Sequence, residues 1–171
     1  MARIAAPSEE RVLLPPRARI VPVVSTMAGS MLATLPYVAQ APLLPPFGLL
    51  MLLAWRLLRP ELWPAWVALP LGAFDDLMSG QPLGSAMTLW TIIFLVLDMT
   101  DNRAVWRDYW HDLLSAGVAI AFCLAGGWAV VAFASGAGNI LTLAPQYVLS
   151  LLCMPMAMRL AARFDRYRLA H

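Results

Sequence analysis

Long apolar runs, broken at intervals by short polar stretches, run from residue 20 almost to the end of the chain. They predict six helices, at about 20–38, 42–58, 61–78, 83–100, 112–134 and 140–162. Each supplies close to the roughly 20 mainly apolar residues that cross a hydrocarbon core of about 30 Å. The polar stretches alternate in character. Those at 36–46, 79–82 and 135–139 carry no charged residue, whereas the others carry every arginine.

Composition turns six apolar helices into an expected membrane bundle. A soluble domain has about 25% charged residues; this chain has 13%, with 61% hydrophobic residues and a mean hydropathy of +0.70. Its twelve basic residues are all arginines, in four clusters: Arg3, Arg11, Arg17 and Arg19; Arg56 and Arg59; Arg103 and Arg107; Arg159, Arg163, Arg166 and Arg168. Arginine is retained on the cytoplasmic side of a membrane, and two crossings separate each cluster from the next. The expectation is an all-α, polytopic bundle of six transmembrane helices with both ends in the cytoplasm. Its parts are a tail at 1–19, a membrane domain at 20–162 and a basic tail at 163–171, with Arg56, Arg59, Arg103, Arg107, Arg159 and Arg163 as topology determinants. With the arginines confined to one side, a net charge of +2 implies no nucleic-acid partner.

Ala39-Gln40-Ala41 has the form of a signal-peptidase site after the first apolar run, but Pro42 disfavours cleavage, so an uncleaved first helix is expected. Trp55, Trp63 and Trp66 flank the Arg59-Pro60-Glu61 turn as an interfacial belt. Tyr109 and Trp110, three and four residues after Trp106, share one face with it on a short helix expected to lie in the interface. Small residues recur every fourth position, at Ser25, Gly29 and Ala33 and again at Ser115, Ala119, Cys123 and Gly127. Such faces let helices approach closely, within this chain or against a partner. Pro64, Pro70, Pro145 and Pro155 should make the third and sixth helices irregular.

Asp75 and Asp76 are the charged residues deep in the uncharged-loop half of the chain. A carboxylate at the bilayer centre costs about 2.5–3.5 kcal/mol, less near the interface. The pair is therefore partly protonated, or hydrated at the external mouth, or supplied with donors by a partner. Asp98, near Arg103, is expected to be solvated. Catalysis finds no support: Asp98 lies a bilayer away from the paired acids, and Ser79 and Ser85 are external while His111 and His171 are internal, which separates any serine from its base. There is no H-E-x-x-H and no phosphate-binding glycine loop. Cys123 and Cys153 have no ligand neighbours at metal spacing and read as small core residues. No metal or cofactor is expected.

The segment Leu71-Gly72-Ala73-Phe74-Asp75-Asp76-Leu77-Met78-Ser79-Gly80-Gln81-Pro82-Leu83-Gly84 resembles the signature of the rod shape-determining protein MreD family, roughly G-x-x-x-D-x-x-x-G-x-x-L-G, with Gly72, Asp76, Gly80, Leu83 and Gly84 matching. The leucine run ending in an aromatic and basic stretch at 45–60, and the last helix with an internal proline and an arginine-rich tail at 155–168, are also similar to the family. Asp75 is an extra acid, and Pro45-Pro46 replaces the family's frequent arginine-proline. The resemblance implies a non-catalytic component of the bacterial cell-elongation complex, serving peptidoglycan synthesis and cell shape. Its implied partners are MreC foremost, with the glycosyltransferase RodA, a class B penicillin-binding transpeptidase and the actin-like MreB in the same complex, in contact with membrane lipid.

Helical geometry stacks Gly72 and Asp76 one turn apart, with Asp75 rotated by about 100°. Gly80 suits a left-handed cap, Pro82 the first turn of the next helix, and Gly84 a close approach of that helix. Asp76 is expected to take donors from a partner or from the returning hairpin. The alternative function is the substrate-binding membrane subunit of an energy-coupling-factor transporter. That reading needs several convergent polar groups, whereas the external half offers little beyond Asp75, Asp76, Gln40, Gln81, Tyr37, Thr88 and Asn139.

Overall fold

The computed structural model describes residues 16–34, 44–101, 109–136 and 139–169. Six α-helices lie among the described residues: α1 Pro16–Met31, α2 Phe47–Leu58, α3 Ala68–Ser79, α4 Ser85–Asp101, α5 Tyr109–Ser135 and α6 Leu143–Leu169. Short 3-10 turns occur at Leu32–Thr34, Pro60–Leu62, Ala65–Val67 and Ile140–Thr142, and there is no strand among the described residues.

Prolines set several boundaries. Pro46 immediately precedes α2, which therefore starts later than position 42. Pro60 and Pro64 break the stretch before α3 into two 3-10 turns, because each lacks the amide hydrogen a continuous helix needs. Pro22 lies inside α1, where its carbonyl accepts from the Ser25 and Thr26 hydroxyls, both at 2.9 Å. Pro155 lies inside α6. The last helix runs on to Leu169, so the expected tail at 163–171 is helical through most of its length; nothing in Arg163-Phe164-Asp165-Arg166 breaks a helix.

Helix α2 is the axis of the molecule. All ten residues 48–57 are buried, and the other five helices form a closed ring around it in the order α1, α3, α4, α5, α6 and back to α1. A helix apolar on every face belongs in the interior. Its one charged residue then needs a partner inside the ring. Arg56 is 2% exposed, forms an ion pair with Asp98 of α4, and lies with its guanidinium carbon 5.8 Å from the centre of the Phe94 ring. Trp63 meets the same ring edge-on, with centroids 6.3 Å apart.

Arg59, at the foot of α2, donates through Nε and Nη2 to Asp165 of α6 at 3.2 and 3.1 Å. Asp98, expected to be solvated, is half-exposed and paired with Arg56, which is a buried cation. Arg159 and Arg163 are exposed on α6. Arg103 and Arg107, with Trp106, lie outside the described residues.

The outside of the ring is apolar. Val118, Phe133, Leu152 and Met156 are each more than two-thirds exposed, and Leu95, Val96 and Met99 continue this surface on α4. The surface of a soluble monomer rarely carries so continuous an apolar area. Two helices, at Trp110–Ala134 and Ile140–Tyr167, are long and apolar enough to cross a membrane.

Asp98→Ala would leave Arg56 buried without its carboxylate. We expect a loss of about 3 kcal/mol, the low end for breaking a buried pair because the Asp98 side chain is 41% exposed. Arg56→Met added to Asp98→Ala should recover most of that loss. Thermal unfolding in detergent, followed by circular dichroism, checks both.

Candidate functional site

The connection between α3 and α4 accounts for every amide at the start of α4. The first amides of a helix have no partner within it and must find one elsewhere. Here the Asp76 carboxylate, reaching across from α3, supplies most of them. Its Oδ2 accepts from the Gly84 amide at 2.8 Å and the Met87 amide at 3.4 Å, and its Oδ1 accepts from the Ala86 amide at 2.8 Å and the Ser85 hydroxyl at 2.7 Å. The Ser85 amide goes to the Pro82 carbonyl at 3.1 Å, and the Thr88 amide begins the helical ladder at Gly84. Asp76 is 1% exposed. A negative charge on this axis is also favoured by the positive end of the helix dipole.

Three glycines make the hairpin possible, for two different reasons. Gly80 ends α3 at φ 69° and Gly84 precedes α4 at φ 99°, left-handed conformations that suit a residue without a side chain. Gly72 is the point of close approach: a Cβ there would sit 2.6 Å from the Met87 Cα and 2.7 Å from its amide nitrogen. Close approach was expected of Gly84, yet open space surrounds that residue, and its backbone angle is the constraint. Pro82 lies in the turn before α4 rather than in the first turn of the helix. Leu83 is 74% exposed at the hairpin tip and contributes nothing to the packing.

Asp75 faces a different neighbourhood. Its Oδ1 and the Ser30 Oγ of α1 converge on Gly48 of α2, where a Cβ would lie 2.8 and 2.2 Å from them. Asp75 also lines a cavity of about 260 Å³ with Gln81, Gln146, Trp90 and Trp128. Gln146 donates from Nε2 to the Leu44 carbonyl at 3.0 Å. Gln81 lies against α5, its Oε1 3.7 Å from where a Gly127 Cβ would be.

The remaining small residues fall at helix contacts of this chain. Ser25 accepts from the Trp55 indole at 2.8 Å, joining α1 to α2, and a Cβ on Gly29 would meet the Phe47 carbonyl oxygen at 2.9 Å. Ala119 is buried in the core, Gly127 is half-buried beside Gln81, and Ala33 lies in the turn that follows α1. Tyr37 and Gln40 lie outside the described residues. No cluster of three metal-ligating side chains occurs among the described residues. Comparisons with family models, curated proteins and solved structures find no match to this chain.

Sequence reasoning passed over Gly48, Ser30, Trp90, Trp128 and Gln146 as parts of one site. They lie on five different helices, and no local spacing signals that they meet. Gln146, a carboxamide three residues into an apolar helix, was the signal available.

Two substitutions separate the hairpin's electrostatic clamp from its steric one. Asp76→Ala leaves amides of the first turn unpaired and should cost about 1–3 kcal/mol, with Asp76→Asn costing less because one acceptor oxygen remains. Gly72→Ala should cost about 1–3 kcal/mol through forced separation of α3 from α4. Thermal melts in detergent report the size of each effect.

Proposed function

We propose that this chain is a six-span protein of a bacterial cytoplasmic membrane, with both ends in the cytoplasm, acting as a non-catalytic component of the cell-elongation complex. The observation that carries the reading is the hairpin. Gly72, Asp76, Gly80 and Gly84, the residues on which the resemblance to the MreD family rests, form one interdependent structural unit of clamp, cap and turn. A sequence signature whose members are physically coupled is better explained as a specified device than as chance matching. The apolar periphery and the gathering of Arg56, Arg59, Arg159 and Arg163 toward the end opposite this hairpin support the membrane setting and the orientation.

Because the hairpin satisfies Asp76 itself, the carboxylate serves to hold α3 and α4 in a fixed relation, with Leu83 left at the tip for contact outside the chain. On this reading the bundle is a rigid membrane platform that binds MreC, and RodA, the class B penicillin-binding transpeptidase and MreB belong to the same assembly. A second reading, the substrate-binding membrane subunit of a transporter, draws support from the convergence of Asp75, Gln81 and Gln146 on one cavity.

Reporters active outside the cytoplasm should be silent when fused after Arg59, Arg107 or His171, and active after Gln81 or Gly138; a single reversed result overturns the six-span topology. Depletion of the protein should make rod-shaped cells round, and purification in mild detergent should recover wall-synthesis proteins. Rod-shaped depleted cells that lose uptake of one nutrient, with ATPase subunits recovered, would establish the transporter instead.

A further inference from the structure

The two adjacent acids have opposite fates. Asp76 has four donors around its two oxygens, whereas no basic side chain of the described residues lies within ion-pair distance of Asp75; the pairs Arg56–Asp98 and Arg59–Asp165 are at the other end of the bundle. The chain has no lysine that could reach it. Ser30, itself 2% exposed, places its Oγ beside the Asp75 carboxylate. Shape rather than charge holds this carboxylate: Gly48 leaves just the room that it and Ser30 occupy.

Polar and aromatic side chains surround Asp75 on its open side. Gln146, which donates to the Leu44 carbonyl, lines the cavity. Gln81 adds a second carboxamide from the hairpin tip, its Oε1 accepting from the Ser85 hydroxyl at 3.3 Å, and Trp90 and Trp128 line the same space. A carboxylate with carboxamides and indole rings beside it is a set of groups that can recognise an N–H-bearing cation, through charge, hydrogen bonds and the ring quadrupole together. At about 260 Å³ the space is smaller than typical drug-sized pockets of about 300–1,000 Å³, which matches a group the size of one side chain.

We propose that this cavity binds one organic cation of side-chain size, an ammonium or guanidinium group, with Asp75 as its counter-ion and Gln81, Gln146, Trp90 and Trp128 around it. The cation is a free amine or the basic side chain of another membrane protein. The proposal rests on the cavity alone, so it is independent of the choice between platform and transporter.

The test uses the full chain in lipid nanodiscs and reads modification of individual carboxyls by a hydrophobic carbodiimide, located by peptide mass spectrometry. Guanidinium chloride at tens of millimolar, a cation that does not attack the activated carboxyl, should slow labelling of Asp75 at least fivefold, with labelling of exposed Glu61 unchanged. Urea, its neutral isostere, and equimolar sodium chloride should not protect. Absence of protection, or equal protection by urea or sodium chloride, overturns the proposal. Native membranes distinguish the sources. Asp75 already protected there, and released on purification, assigns the cation to a membrane partner; equal labelling before and after, with protection by added guanidinium, assigns it to a free solute.

Discussion

The fold depends on enclosing a twelve-residue helix on all sides while leaving its single guanidinium satisfied. Helix α2 has no polar face to turn outward, so five helices surround it, and burying Arg56 at its lower end carries a desolvation penalty that Asp98 helps to offset. Pairing removes that penalty more than it adds net stability. What the pair supplies is register: α4 can slide along α2 only by separating the two charges, and the Phe94 ring over the guanidinium and the Trp63 edge against Phe94 fix the same position from the third side. Arg59 and Asp165 do the equivalent for α6 across the half-open surface.

At the opposite end the problem is inverted, with carboxylates and no cations. Asp76 solves it with backbone amides. Four donors aligned at the start of α4 provide what a lysine or arginine would otherwise provide, and they cost no additional charge. Those four donors are spent on Asp76, and Asp75 lines instead the cavity between α3, α4, α5 and α6. Adjacent positions on one helix thus differ sharply in chemistry because the helix turns them toward different walls.

How much of this was legible from the chain depended on how local the cause was. The six apolar runs are local, and six helices stand where they were expected, with ends moved by Pro46, Pro60 and Pro64. The hairpin is nearly local: Gly72, Asp76, Gly80 and Gly84 lie within one supersecondary unit, so helical geometry placed Asp76 facing the returning helix, although it assigned close approach to Gly84 when the contact is at Gly72. The burial of Arg56 was not foreseen because it depends on which helix is central. The run Phe47–Leu58, apolar all round apart from that arginine, did carry the hint. The partnership of Arg56 with Asp98, 42 residues away, and the meeting of Asp75 with Gln146 are long-range, and no spacing rule reaches them.

Chain order adds something that the static architecture does not. The helix at the axis is the second of the described helices in chain order, yet the ring around it closes only where α6 meets α1, with the Arg59–Asp165 contact joining residues 106 positions apart. For most of its synthesis the molecule is therefore an open sheaf with its future core on the outside and Arg56 awaiting a counter-charge that arrives with α4. Assembly is a matter of sequential shielding: a pause or truncation before Leu143 leaves an exposed core rather than a smaller version of the protein. The last 27-residue helix is in that sense the closing step of folding rather than an appendage to it.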